Sequence, residues 1–277
     1  ESFPVLSPDG QMLYLVRRRH PQNMGPDNRA DIWVSYRGPE EGWSRAVHAG
    51  TALNDRGFNR VINVSPSGRK LYLLGTEGER PVLLGSVRRD RTWEMPRALP
   101  LPAGRPIRHL HLSADGRYLV FSAPAPGGGH NDLYLSYREE EGWQEVVHLG
   151  PMINTTGDEE RVFLAADGET LYFSSDGHPG LGGQDWFVSR RLDGSWTRWT
   201  PPLSLGRAVN SSLDEGPIAL PLSGDSIYFT RPVAGAGLDL FRAALPDSLR
   251  PRPVVLLSGR ILAESSFVEN ARLQVQP

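Results

Sequence analysis

The sequence has no cysteine, a single lysine (Lys70) and no long apolar run, and each scarcity narrows what the protein can be. Without cysteine there is no disulfide framework, no thiolate metal site and no thiol nucleophile, which is compatible with either a reducing or an oxidising compartment. No segment approaches the roughly 18 apolar residues of a membrane-spanning helix. A surplus of one charge is missing as well: 30 Lys plus Arg face 32 Asp plus Glu, a formal net charge of -2. The basic excess on which nucleic-acid or anionic-membrane binding relies is therefore absent, and nucleic acid is not an expected partner. The near-total use of arginine over lysine fits a GC-rich genome as well as a need for bidentate contacts. There is no Gly-x-Ser-x-Gly elbow, phosphate loop, His-Glu-x-x-His or dinucleotide fingerprint, so none of the strong catalytic signatures is present. The chain opens at Glu1 with no signal-peptide pattern, as a mature product or an excised domain would.

What is plentiful is turn-forming residues: 30 Gly and 24 Pro in 277 residues, spread between short apolar runs. The distribution has a period. Ser7-Pro8-Asp9-Gly10 recurs as Ser65-Pro66-Ser67-Gly68, Ser113-Ala114-Asp115-Gly116, Ala165-Ala166-Asp167-Gly168 and Leu222-Ser223-Gly224-Asp225, and Asp-Gly between alternating apolar runs is a strong hairpin signal. Each turn leads into a β-rich run such as Leu13-Tyr14-Leu15-Val16 or Leu171-Tyr172-Phe173, rich in the residues that strands prefer. A looser loop then precedes a third strand opened by Asp31, Asp132, Asp185 or Asp239, with Val82-Leu83-Leu84 as the irregular copy. Trp43, Trp93, Trp143 and Trp196 start a fourth strand, and Asn54, Asn154 or Asn210 sits in the crossing to the next unit.

Four-stranded units that cannot cover their own apolar faces must pack side by side, and radial closure hides their edges. The expected fold is all-β: a five-bladed β-propeller of four-stranded antiparallel blades over 1–250, with repeats at about 1–60, 61–108, 109–160, 161–215 and 216–250. Residues 251–277 are expected to be C-terminal strands that start a small β-sandwich or close the last blade. Because Glu1 aligns with Glu159 and Glu215, the chain begins within a repeat, and closure is expected from residues upstream of Glu1 or from Val254-Val255-Leu256-Leu257.

Connectivity places the signature turns on one face of the disc and the long 2–3 loops and blade crossings on the other. A ligand is expected on that loop-rich face, where the candidate binding residues are Arg17, Arg18, Arg19, His20, His130, Asp176, His178 and Trp186. The arginines suit a carboxylate-bearing partner or glycan. Convergence of His20, His130 and His178 with Asp176 and Asp27 would make a metal or acid/base cluster, but their spacing lacks the short His-x-His pattern, and solvated loop histidines are the plainer reading. No catalytic residue and no metal site is assigned. The strand-opening aspartates and the pairs Asp158-Glu159 and Asp214-Glu215 recur with the repeat, which argues for scaffolding and against a glycosidase dyad. The repeating tryptophans are expected between blades, whereas Trp186 and Trp199 stand outside the pattern and are expected to add an exposed aromatic platform.

These motifs resemble the WD40-like propeller repeat with a Ser-Pro-Asp-Gly signature turn, found in TolB-type propellers and OmpA-family envelope proteins. The match is fullest in the fourth copy, through Asp158-Glu159, Asp167-Gly168, Leu171-Tyr172-Phe173-Ser174-Ser175, Gly182-Gly183-Gln184-Asp185 and Asn210. Ser67 breaks it in the second. Leu249 to Ile261 resembles the start of a carboxypeptidase-regulatory-like sandwich, with Glu264-Ser265-Ser266 in place of its usual turn. The resemblance implies a non-enzymatic binding or scaffolding propeller without cofactor, periplasmic or associated with the outer membrane. Its partners would be other cell-envelope proteins, with peptidoglycan reached through a domain outside this chain or a place in a type IX secretion assembly. Two other readings stay open: a carbohydrate-active or glycan-binding propeller, marked by non-periodic carboxylates at the axis, and a calcium or small-molecule site using Asp176, Asn154 or Asp158.

Overall fold

A computed structural model describes residues 1–24, 30–39, 42–55, 57, 59–77, 80–90, 92–102, 105–140, 142–233 and 237–254. Five antiparallel sheets follow one another along the chain as five blades. Blade 1 comprises Ser2–Leu6, Met12–Arg17, Asp31–Tyr36 and Val47–His48. Blade 2 runs through Arg60–Val64, Lys70–Glu77 and Arg80–Arg89, and blade 3 through Leu110–Leu112, Tyr118–Pro124 and Asn131–Glu139. Blade 4 holds Glu159–Leu164, Thr170–Ser175, Asp185–Arg190 and Leu203–Ser204. Blade 5 has three strands among the described residues, Ile218–Ala219, Ser226–Val233 and Gly237–Ala244.

The ring forms because the central strands are apolar on both faces. In blade 3, Leu133 and Leu135 enter one cluster with Leu171 and Phe173 of blade 4. Tyr134, pointing the other way, joins Leu74 and Leu83 of blade 2. The same alternation sends Tyr172 and Trp186 of blade 4 toward Phe229 of blade 5, and Ile32 and Val34 of blade 1 toward Leu71 and Leu73 of blade 2. A side chain such as Phe121 or Phe173, both fully buried, contributes about 1.5–3 kcal/mol only while a neighbouring blade covers it. The seam between blades 5 and 1 is built differently. Trp43 meets Tyr228 edge-on at 6.1 Å, its Nε1 donates to the Tyr228 hydroxyl at 3.4 Å, and the Glu1 amino group donates to Leu238 O at 2.8 Å.

The signature turns use their polar residues locally. Ser7 Oγ donates to Asp9 Oδ1 at 2.5 Å and accepts from Met12 N at 2.8 Å, while Gln11 N donates to Asp9 Oδ1 at 3.0 Å. Ser113 and Asp115 repeat the pattern. Gly10 supplies φ +67°, a backbone state costly for a side chain with Cβ. The fifth turn spans Pro221–Gly224, one residue earlier than the quartet read from the sequence, since Gly224 N donates to Pro221 O at 2.9 Å.

The fourth strand is broken in every blade that has one. Trp43, Trp93, Trp143 and Trp199 each pair with the end of the third strand, and a second short pairing begins four residues later at Val47, Arg97, Val147 and Leu203. Trp199, not Trp196, is therefore the blade 4 member of the series. Ser35, Ser86, Ser136 and Ser189 of the third strands donate across this break to Ser44 O, Glu94 O, Gln144 O and Thr200 O at 2.5–2.7 Å. The crossing asparagines extend the ladder: Asn54, Asn154 and Asn210 each accept from and donate to the backbone of one third-strand residue, Ile32, Leu133 and Trp186. Beyond blade 5, Asp247–Leu249 forms a 3₁₀ turn and the chain leans on blade 4. Tyr172 hydroxyl donates to Leu249 O at 2.6 Å, Arg190 Nη2 to Arg250 O at 2.6 Å, and Arg252 N to Asp167 Oδ2 at 2.9 Å. Pro251–Val254 adds no strand to blade 5, and Val255 to Leu257 lie outside the described residues.

Asn210→Ala strands the buried N–H of Trp186, whose C=O keeps Leu205 N as its donor at 3.0 Å, so chemical denaturation is expected to show a loss of about 1–3 kcal/mol. A loss below about 0.5 kcal/mol, the scale of an ordinary surface change, would show that the asparagine does not serve as a ladder surrogate.

Candidate binding face and axial channel

Most of the candidate binding residues are occupied by structural work within their own blades. Arg17 ends its strand against the Glu1 carboxylate, its Nε donating to Oε1 at 2.9 Å, and lies 4.9 Å from the Trp33 ring centre. This is the position at which Ser175 donates to Glu159 Oε1 at 2.6 Å in blade 4. His20 packs edge-on against Trp33 at 4.3 Å. His130 lies 3.6 Å from Asp132 of its own blade. His178 bonds Ile153 O at 2.9 Å through Nε2 and packs against Phe173 and Phe187, while Asp176 Oδ1 accepts from Asp158 N at 2.7 Å. The three histidines thus do not converge. Among the described residues no three His, Asp or Glu form a metal-binding group, and Asp27 lies outside them. Arg18 and Arg19 are exposed at the strand exit, Arg19 with φ +55°.

Trp186 is a correction. It is 1 % exposed, with Nε1 donating to Gly216 O at 2.9 Å, and Trp199 is 3 % exposed with Nε1 on Trp196 O at 2.9 Å. Both rings face adjacent-blade core because the strand alternation puts them there, so no aromatic platform exists at these positions.

The periodic carboxylates are structural. Glu159 accepts from Ser175 Oγ, Thr155 Oγ1 and Thr155 N at 2.6–2.8 Å. Asp158 and Asp214, each at the start of a blade, accept from the preceding blade at 2.8 and 2.9 Å, from Asn131 N at the start of its third strand and from Gln184 N just before its third strand. Asp185 Oδ2 accepts from Gly182 N at 3.0 Å and from Leu181 N. Asp31 and Asp132 take a different partner, His48 Nε2 at 2.8 Å and His148 Nε2 at 3.0 Å, with Gly50 N and Gly150 N donating to the opposite ring nitrogens. The sequence reading missed these histidines. Their signal is the repeat Val47-His48-Ala49-Gly50, Val147-His148-Leu149-Gly150, with Leu203-Ser204-Leu205-Gly206 in blade 4. Asp239 is exposed and outside the pattern.

The first strands of all five blades line an axial channel. At the signature-turn end a cavity of about 100 Å³ is walled by Val5, Ile62, Phe163, Ile218, Leu220 and Val254 among others, and Asp167 is the one carboxylate among its described lining residues. That carboxylate already accepts from Glu169 N, Thr170 N and Thr170 Oγ1. Midway, Asn63 Nδ2 donates to Leu112 O and Ser113 O at 3.0 and 2.6 Å, and the equivalent His111 binds Leu164 O at 3.1 Å through Nε2. Each ties its strand to the first strand of the next blade. The loop-rich end holds a second cavity of about 60 Å³, lined by Phe3, Arg60, Val61, His109, His111, Arg161, Pro217 and neighbouring apolar residues, with no carboxylate among the described lining residues.

Electrostatics at this mouth are one-sided. Arg60 is 7 % exposed, and burial together with the positive charges of Arg161 and Arg18 lowers its pKa to about 10. Burial, then Arg161, Arg60 and Arg108, hold His109 down at about 4. His111, further in, is also held at about 4 by burial, which its Leu164 bond only partly opposes. Burial raises Glu159 and Glu215 above the usual carboxylate range.

Against known proteins, no family model matches this chain, and no curated protein does. Solved structures do. TolB from Acinetobacter baumannii superposes with TM-score 0.52 at 15% identity, covering 87% of this chain and 52% of that one. A GH43_12 protein retrieved from capybara gut metagenome gives TM-score 0.53 at 16% identity, with coverage of 89% and 56%. A putative TolB from Agrobacterium tumefaciens gives 0.48 at 16% identity, covering 88% and 76%. The chain spans about half the length of the first and second of these structures. The likeness at this identity is one of β-propeller fold alone.

The half-buried histidines of the channel set a pH dependence. The folded pKa of His109 and His111 lies near 4, below the 6.5 of the free side chain, so the unfolded chain binds more protons between those values. Stability is then full above pH 6.5 and falls as pH drops toward 4; the raised Glu159 and Glu215 act in the opposite direction. His111→Gln, which keeps a donor for Leu164 O, is expected to reduce the slope of unfolding free energy across that window by up to about 1.4 kcal/mol per pH unit. An unchanged slope would contradict the neutral state of His111.

Proposed function

We propose that this chain is a non-enzymatic binding propeller of the bacterial cell envelope, offering its loop-rich face and axial mouth to a protein partner. The observation that carries the reading is the contrast between the carboxylates and the arginines. The periodic acids are held by backbone amides and neighbouring blades, which suits scaffolding. Among the described residues Arg19 at the rim and Arg60 at the mouth make no ion pair, and Arg161 in the same mouth meets only Glu160; guanidinium groups so placed suit recognition of an anionic surface. A periplasmic or outer-membrane-associated setting, and a place in a secretion or peptidoglycan-anchored complex through a domain outside this chain, are the finer parts of the same proposal. The fold shared with TolB is compatible with them.

A second reading, a carbohydrate-active propeller, draws on the fold shared with the GH43_12 protein. Glycoside hydrolysis needs two carboxyl groups about 5–9.5 Å apart across the bond to be cut. The loop-rich mouth is lined by none among the described residues, so binding is the better supported of the two.

Immobilised protein and an Arg18→Glu/Arg19→Glu variant are to be compared in cell-envelope extract and with a defined glycan library. These positions are exposed, so the fold should survive the change. Retention of an envelope protein by the wild type and at least a tenfold loss in the variant are expected. Cleavage of glycans in place of protein capture would move the assignment to the enzyme reading.

A further inference from the structure

We infer that the loop-rich mouth of the axial channel is a binding site for a small oxyanion, a carboxylate or phosphate group, held between Arg60, Arg161 and His109. The inference adds a ligand to the propeller and does not depend on the identity of a protein partner.

Three neighbouring blades supply the site. Arg60 opens the first strand of blade 2, His109 immediately precedes that of blade 3, and Arg161 lies on that of blade 4. His109 and Arg161 occupy equivalent repeat positions. Arg60 stands one residue before the equivalent Val61, next to a register shift between Val61 and Asn63, a device that re-aims side chains. All three line the same small cavity.

Arg60 is the decisive residue. It is 93 % buried by its 7 % exposure, its Nε is out of reach of any acceptor, and among the described residues its guanidinium makes neither an ion pair nor a hydrogen bond. Its one favourable contact is with the Phe3 ring, 4.4 Å from the centre. A cation–π contact recovers only part of what it costs to take a guanidinium out of water without a counter-ion. Its charged neighbours deepen the deficit, because Arg161 and Arg18 are both positive. Arg161 has a second buried Nε without a partner and meets one acid, Glu160 Oε2, at 3.3 Å from Nη1. An oxyanion in the mouth would accept from both arginines in the geometry their forked donors favour, with His109 as a third donor. The cavity of about 60 Å³ has room for one such group.

The probe is inorganic phosphate, with sodium acetate as the carboxylate arm and sodium chloride at matched ionic strength as the control. Thermal unfolding of the intact chain is expected to show a saturable rise of about 2–4 °C with phosphate or acetate beyond the chloride control. The larger of the two responses assigns the preferred group. Arg161→Gln should weaken the response at least tenfold. Arg60→Gln should abolish it while leaving the anion-free melting temperature equal to or above that of the wild type, since it removes an uncompensated buried charge. As a readout independent of melting, the imidazole resonances of His109 should shift with the same saturation curve. No rise beyond chloride, an equal rise in Arg60→Gln, or failure of Arg60→Gln to fold would each overturn the inference, the last by showing that Arg60 serves the fold and not a ligand.

Discussion

A β-sheet with two apolar faces is unstable alone, and everything else in this structure follows from that constraint. Leu133 and Leu135 belong to one interblade cluster and Tyr134 to the next, so each blade is completed only by both of its neighbours. A linear stack would leave two such faces in water, whereas a ring leaves none. Four seams are filled by extended clusters of aliphatic and aromatic side chains. The fifth, between blades 5 and 1, relies on the Trp43–Tyr228 pair and the amino group of Glu1.

Short strands at the rim of such a ring give little backbone pairing, and the polar residues make up the difference. Serine hydroxyls bridge the break in each fourth strand, asparagine side chains stand in for a missing strand residue, and Asp158 and Asp214 fasten each crossing to the blade behind it. Inside the channel Asn63 and His111 do the same between first strands. Repetition of a polar residue in this chain therefore marks mechanical use. Interest for binding lies in charged groups that recur in no other blade, of which Arg60 is the most deeply buried.

Blade number, strand order and the structural role of the repeated acids were legible in the sequence, because turn residues such as Asp9-Gly10 and Asp115-Gly116 carry local chemistry that does not depend on the rest of the fold. Trp199 and Trp196 were exchanged because the repeat is read from spacing to the preceding turn, and the blade 4 turn between the paired Arg191 and Trp199 is longer than the Arg37–Trp43, Arg88–Trp93 and Arg138–Trp143 turns. Trp186 was misplaced because its burial is decided by strand alternation against blade 5. His48 and His148 were overlooked although their Val-His-x-Gly setting repeats. The mouth was not legible at all: Arg60, His109 and Arg161 are about 50 residues apart in sequence, and only ring closure brings their first strands to one axis.

The central claim is that the axial mouth is an open cationic site held by the five-blade scaffold. Crystals grown without phosphate, sulfate or carboxylate buffers and then soaked in phosphate test it most directly. The account predicts one tetrahedral anion bridging the guanidinium groups of Arg60 and Arg161 at the loop-rich end of the channel, with the five blades unchanged. An Arg60 turned out to solvent, or paired with a carboxylate of this same chain, would contradict it.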